Sequence, residues 1–429
     1  MVTKKPVPML KANIPTMSIQ TAFLGFISIL LLGGCDTFSS VEEPVNEGGD
    51  RQLAEDLSVQ EQIMIGGSND FAFRLLHRLK DKEEDNSFFV SPLSISTAFG
   101  MALNGAADET YEQMRGFFGY DGLTRDEINR ANRDLIDLLT TLDPQVIMTI
   151  ANSVWYREGI TVREEFLNNN REYFDADVQE LDFSDPGAPD IINAWIDENT
   201  EGLIDKMVEA IGEDVIMYLV NAIYFNGDWT VQFDPDDTRD EVFHLPDGDT
   251  REVPMMRVEE EFRTYRGEDW TALDMWYGKA GFSFTALVPG GDATLEELVP
   301  ALTADRFASI TEQLEESELN VVVPRFELDY EIGNFPDELE DMGLTLPFGS
   351  QADFSGIADL PLAISDVKHR AVIKLDEEGS EAAAATVIEV GLTSTGPSIR
   401  LNRPFLFFIR ENTSNTILFM GAYTGITNN

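Results

Sequence analysis

Few side chains in this 429-residue sequence could carry covalent chemistry, and none stands in a spacing that would enable it. The histidines are His77, His244 and His369, and Cys35 is the single cysteine. There is no His-Glu-x-x-His helix, no paired cysteines, no glycine-rich phosphate loop and no Gly-x-Ser-x-Gly elbow. Carboxylates are abundant, with 78 acidic residues, but nothing in their order singles out a pair for general acid–base work. The acidic run from Asp234 to Glu241 lacks the glycine and the spacing of a calcium loop and reads as a solvated face. No enzyme activity, metal or cofactor is therefore expected.

What the sequence offers instead is a segment able to change its backbone state. Residues 377–390 read Glu-Glu-Gly-Ser-Glu-Ala-Ala-Ala-Ala-Thr-Val-Ile-Glu-Val. Four consecutive alanines suit a surface helix, because alanine has the best helix propensity. At a period of two the same residues form a strand with two distinct faces. Ser380, Ala382, Ala384, Thr386, Ile388 and Val390 make an uncharged face, while Glu381, Ala383, Ala385, Val387 and Glu389 make the other. Both states fit this segment taken alone. The small side chains around Gly379 would let it slide between two strands already in place.

The elements around that segment point to an α+β domain. Ile63, Phe71, Phe73, Leu75, Leu76 and Leu79 predict an amphipathic helix, and Ser91-Pro92-Leu93-Ser94 starts a second with proline in its first turn. Helical patterns recur near 126–140 and 188–200. Val146–Tyr156 and Val215–Phe225 read as buried strands, and strand signals dominate 250–290, 319–329, 363–375 and 399–423. Helices come mainly first and strands later, with few βαβ repeats, which favours large mixed or antiparallel sheets. Without repeats or long linkers, residues 57–427 read as one domain.

Charge and the N-terminus bear on location. The net charge is −48, with only nine lysines, so the surface repels nucleic acid and anionic lipid. Such a surface suits a salty medium, where a Debye length of about 3 Å at 1 M screens self-repulsion. A halophilic source is expected, with unfolding midpoints that rise between 0.1 and 2 M NaCl. Lys4, Lys5 and Lys11 precede an apolar stretch from Phe23 to Leu32 and then Leu-Gly-Gly-Cys. That pattern resembles the signal peptide and lipobox of bacterial lipoproteins. It implies cleavage after residue 34, lipidation of Cys35 and a flexible tether through residue 56. An ordinary signal peptide with an incidental cysteine is the alternative. Membrane contact would then run only through the anchor of an exported protein at the cell envelope.

Five segments in order resemble the serpin family, across essentially all of 57–427. They are Asn86–Ile95, Leu219–Trp229, Val321–Phe326, Asn402–Arg410 and Ile417–Gly421. The resemblance implies a metastable inhibitor with a reactive loop at about 377–399. A serine protease would be acylated by that loop, and the cleaved loop would enter the central sheet. About 15 residues at roughly 3.3 Å each carry the attached protease some 50 Å. The implied hinge is Glu377, Glu378, Gly379, Ser380, Glu381, Ala382, Ala383, Ala384, Ala385 and Thr386. Family spacing sets the reactive bond at Thr393–Ser394, suiting elastase-like pockets. A loop one residue shorter gives Leu392 and chymotrypsin- or subtilisin-like targets. Ser91, Ser94, Asn221 and His369 resemble the polar "shutter" beneath the sheet, and Trp229 the "breach" tryptophan where the loop enters. No basic patch marks the early helices, so heparin-type polyanion activation is not expected, and a monomer is. The rival implication is a serpin fold that no longer inhibits and acts as a binding or chaperone-like surface module.

Overall fold

The computed structural model describes residues 57–380 and 397–426. The signal segment, Cys35, the tether, hinge residues Glu381–Thr386 and the bonds at Leu392, Thr393 and Ser394 lie outside the described residues.

The chain opens with helices. Helix α1 (Val59–Glu83) starts in a capping box, with Ser58 and Glu61 satisfying each other's backbone amides. Helix α2 (Pro92–Leu103) begins as its sequence predicts, with Ser91 as N-cap and Pro92 in the first turn. It is buried almost all round, the mark of a central helix. Helices α3 (Asp108–Phe117), α4 (Arg125–Thr141), α5 (Glu164–Phe174) and α6 (Ala188–Asn199) follow. The short helices α7 (Leu295–Leu298), α8 (Ala304–Thr311) and α9 (Phe335–Asp341) lie among the later strands.

One sheet has nine strands. Its order is β1 (Phe88–Val90), β15 (Ile417–Tyr423), β14 (Phe405–Glu411), β8 (Phe282–Pro289), β7 (Trp270–Tyr277), β6 (Thr250–Arg266), β9 (Glu315–Pro324) and β13 (Ser398–Arg400). Strand β5 (Arg239–His244) pairs with β6 off this path, and β13 runs parallel to β9. The other sheet has six strands in the order β10 (Phe326–Glu331), β11 (Arg370–Leu375), β12 (Gly379–Ser380), β4 (Met217–Asp228), β2 (Val146–Arg157) and β3 (Asp177–Leu181). Only β2 and β3 are parallel within it, so the sheet is mixed. Its inner face packs on the helices, and α6 covers the outer face through a second apolar cluster of Trp155, Phe183, Ile192, Ile196 and Val220.

Two strand expectations change. The pattern at 363–375 predicts a strand throughout, yet β11 begins only at Arg370. Arg370 pairs with Glu331, the last residue of β10, so residues 363–369, strand-like in sequence, join no strand ladder among the described residues. Val215–Phe225 reads as wholly buried, whereas Met217, Tyr218, Leu219, Asn221 and Ile223 are only half-buried. The same gap in the sheet explains both results.

Candidate functional site

The gap lies between β4 and β11. Gly379 and Ser380 fill its upper end as a two-residue strand. Ser380 pairs antiparallel with Leu375 on one side and Gly227 on the other, so the slot here is one strand wide. Gly379 has to be glycine, because a Cβ at this position would collide with the carbonyl oxygen of Gly227. Ser380 is 2% exposed, and its hydroxyl lies 2.6 Å from that of Tyr277. Burial holds the Tyr277 phenol well above its usual pKa, so it stays a neutral hydrogen-bonding group.

Trp229 organises this end. Its ring stacks on Tyr277 with centroids 4.4 Å apart. Its backbone amide donates to the Glu378 carbonyl at 2.7 Å, and its indole Nε1 donates to the Asp376 carbonyl at 2.9 Å. Glu377 is buried, and its carboxylate accepts from Thr238 Oγ1 at 2.7 Å and faces Arg325 Nη1 at 3.3 Å. Asp376 accepts from the amides of Glu378 and Gly379 at 3.0 and 3.2 Å, while burial raises its pKa above the ordinary carboxylate value. Of residues 377–380, expected within an exposed loop, Gly379 and Ser380 are therefore seated in the sheet, and Glu377 is buried beside it. The Glu377 carboxylate, the Glu378 and Gly379 amides and the Ser380 hydroxyl all have protein partners, which an exposed root would leave to water. The far limb is tied as well. Ser398–Arg400 form β13, and Arg400 pairs with Glu241, which also accepts from Arg257 at 2.5 Å. Glu241 is thus a clamp between strands rather than part of a solvated acidic face.

Below Ser380 the slot widens into a cleft of about 670 Å³. Strand β4 forms one lip, residues 361–369 form the other, and Ile95, Ala98 and Phe99 of α2 lie beneath. The four residues expected to form a polar shutter divide across it. On one side the Ser91 amide donates to His369 Nε2 at 3.0 Å. Ser91 Oγ donates to the Leu418 carbonyl at 2.7 Å and accepts from the Ser94 amide at 3.1 Å. On the other, Asn221 Nδ2 donates to Asn152 Oδ1 at 2.7 Å, and Asn152 donates to the Phe174 carbonyl at 2.7 Å. Among the described residues no hydrogen bond joins Asn221 to His369, and Asn221 Oδ1 is buried without a partner. Sequence reading missed Asn152, Tyr277, Thr238, Asp376 and Arg325. Only Arg325 carried a local signal, as the charge that follows the apolar run Val321–Pro324.

His369 gives a pH prediction. Full burial lowers its pKa from 6.5 to about 3, and the bond from Ser91 places the neutral ring's proton on Nδ1. Unfolding exposes a group that binds a proton below about pH 6.5, so native stability is full above that pH and falls as pH drops toward 3. The slope is about 1.4 kcal/mol per unit, or roughly 2 kcal/mol lost by pH 5. Urea midpoints should fall between pH 7.5 and 5.0 for the parent, and fall clearly less for His369→Asn. Equal declines in both proteins would refute the assignment.

His77 Nε2 bonds the Leu302 carbonyl and His244 is an exposed residue of β5, so the histidines form no joint constellation. Among the described residues no cluster of potential metal ligands occurs.

Comparison with known proteins agrees with this geometry. A family model described as Serpin (serine protease inhibitor) matches residues 66–425. The chain is 32% identical to human neuroserpin over 419 residues, covering 93% of this chain and 95% of that protein. The thermophilic serpin tengpin in its native state superimposes with a TM-score of 0.76 at 29% identity, covering 84% of this chain and 93% of tengpin. Thyroxine-binding globulin in complex with thyroxine gives 0.78 at 27% identity, covering 85% of this chain and all of that one.

Proposed function

The chain belongs to the serpin family, and we propose that within it this protein is a suicide inhibitor of serine proteases rather than an enzyme. The observation that carries this reading is the slot. Among the described residues β4 and β11 are bridged only by Gly379 and Ser380, and strand edges facing each other across a gap are templates for a further strand. The only described residues in the slot are those that root the proposed loop.

The protease serine oxygen attacks the carbonyl carbon of Thr393, or of Leu392 in the shorter register. The bond to the following nitrogen breaks, that amine leaves with the proton the serine gave up, and an ester joins the two proteins. The freed strand then continues from Ser380 down the slot. Extending the observed register six residues along each strand sets Thr386 between Asn221 and His369. The inward side chain of Ser380 fixes the parity, so Ala382, Ala384, Thr386, Ile388 and Val390 take the inner face. Each new ladder bond contributes about 0.5–1.5 kcal/mol net, in addition to apolar burial. The same reading has the protein exported, lipidated at Cys35 and monomeric, working in a salty medium.

Thyroxine-binding globulin shares this fold in a complex with a small molecule, so architecture alone does not choose inhibition. The glycine–serine pair seated between β4 and β11, with the cleft continuing below it, favours it over a passive binding module. Incubation with elastase and with subtilisin, followed by denaturing gels, tests the proposal. A covalent band of summed mass is expected, with a released fragment beginning at Ser394 or Thr393. Clean cleavage without an adduct by either enzyme would return the protein to the non-inhibitory reading.

A further inference from the structure

The strands that frame the slot define two poles of the domain. Ser380 sits against Gly227, and β4 runs from there to Met217 at its foot. Ten residue steps at roughly 3.3 Å put about 33 Å between the two. Helix α4 lies between the same poles. Its C-terminal end leads through Asp143 to Val146, whose amide donates to the Asp143 carbonyl and which pairs with Gly227 beside the loop root. Its 17 residues, at about 1.5 Å each, carry its N-terminal end roughly 25 Å from there.

That N-terminal end of α4 is where the domain begins. Gln60, in the first turn of α1, donates to Glu127 Oε1 in the first turn of α4 at 3.5 Å. Arg125, the first residue of α4, donates to the carbonyls of Asn104 and Ala106 at 3.4 and 2.6 Å. Gly105, between those two, accepts from the Gly356 amide at 3.1 Å. The neighbours of Gly356 hold Arg163, whose amide donates to the Ile357 carbonyl at 2.8 Å and whose Nε donates to the Ser355 carbonyl at 2.6 Å. Six residues before Arg163, the Arg157 amide donates to the Ile216 carbonyl at 2.9 Å, next to the foot of β4. A run of hydrogen-bonded segments thus joins the first turn of α1 to the foot of β4. The chain enters the domain at the pole opposite the loop root.

Extending the register of Ser380 with Gly227 by ten residues sets Val390 against Met217, so an ester at Thr393 would end three residues past the foot. We propose that the membrane anchor and the captured protease share this pole. The anchored molecule presents its reactive loop away from the lipid, and trapping carries the protease into the gap between inhibitor and bilayer. The inference rests on the reading in which Cys35 is lipidated and the cleaved loop inserts. Reach then decides whether trapping can finish on a membrane. Residues 35–56 span at most about 75 Å. A protease of about 250 residues is roughly 45 Å across, from the size scaling of compact domains, so the whole tether leaves room for it. A tether of seven residues, at most about 25 Å, does not. Glu158, Glu209, Glu213 and Asp214 are exposed around the foot and oppose close contact with anionic lipid.

The test uses the chain from Cys35 onward, its thiol coupled to a maleimide phospholipid in phosphatidylcholine vesicles, beside an uncoupled Cys35→Ser form in solution. In each setting the full tether is compared with one lacking residues 41–55. Elastase and subtilisin are added, and denaturing gels resolve intact, cleaved and covalently bound inhibitor. On vesicles the short form should be cleaved as fast as the full one. Relative to its soluble counterpart it should yield about tenfold less adduct, because an obstructed insertion loses the race with ester hydrolysis. Equal relative adduct for both lengths would overturn the shared pole. Slower cleavage of the short form on vesicles would also overturn it, since the loop would then face the lipid. If no form traps a protease, the inhibitory reading falls and cleavage decides. Equal rates for the vesicle-bound and soluble short forms then support the outward loop, and slower cleavage on vesicles overturns it. Protein extracted from its source membranes without acyl mass on Cys35 would overturn the anchored arrangement while leaving the inhibitory reading intact.

Discussion

Replacing Ser380 with arginine should abolish the covalent protease adduct while leaving the loop cleavable. Ser380 is almost fully buried, its hydroxyl is 2.6 Å from Tyr277, and Tyr277 lies under Trp229. A guanidinium there would be desolvated at a cost of several kcal/mol, so the strand root would leave the sheet and have to re-enter it before the loop could insert. Inhibition is a race between strand insertion and hydrolysis of the ester. Each 1.4 kcal/mol added to the insertion barrier slows it about tenfold, so the adduct should fall by roughly two to three orders of magnitude. Two controls sharpen the test. Ser380→Ala loses about 1 kcal/mol of hydrogen bonding and should still trap the protease. Glu381→Arg puts the same charge on the opposite face of the strand and should also trap it. Thermal melts of the uncleaved proteins separate a folding defect from a failed insertion. A stable adduct with Ser380→Arg would refute the insertion mechanism.

Asp274→Ala should cost the native protein about 3–5 kcal/mol, the range for stripping one partner from a buried ion pair. Asp274 on β7 is wholly buried. Its Oδ1 accepts from Ser283 Oγ at 3.0 Å, Thr285 Oγ1 at 2.6 Å and Arg410 Nη2 at 2.8 Å. Arg410 is 2% exposed and is held further by Thr285 and Asn415. Removing the carboxylate leaves that guanidinium charged in the core of the nine-stranded sheet. Typical domains are stable by only 5–15 kcal/mol, so urea unfolding should register a large loss. Replacing Asp274 and Arg410 together with apolar residues of similar volume should cost far less, because no charge is then stranded. A single-variant midpoint within about 0.5 kcal/mol of the parent would contradict the burial argument.

The Asp274–Arg410 pair also marks where sequence reading stops. Among 78 acidic residues, Asp274 has no local feature that sets it apart, and its partner is 136 residues away. Tyr277 is likewise an ordinary strand aromatic until Ser380, 103 residues on, is laid against it. The four residues expected to form a polar shutter are divided in the structure. Asn221 and His369 stand on opposite lips, and Asn221 bonds Asn152 instead. Helix caps fared better, since Ser91 and Pro92 act within one turn of where they occur.

Local order therefore determined the α+β class, the main helices and strands, the absence of catalytic spacing and the two-faced alternation from Ser380 to Val390. These depend on periodicity and propensity among near neighbours, which one sequence contains. The tertiary structure alone decided that Gly379 and Ser380 are seated as a strand between β4 and β11. It also decided that, among the described residues, 363–369 have no strand partner. A strand exists only when another strand supplies its ladder, so its pairing is a property of distant partners and not of its own residues.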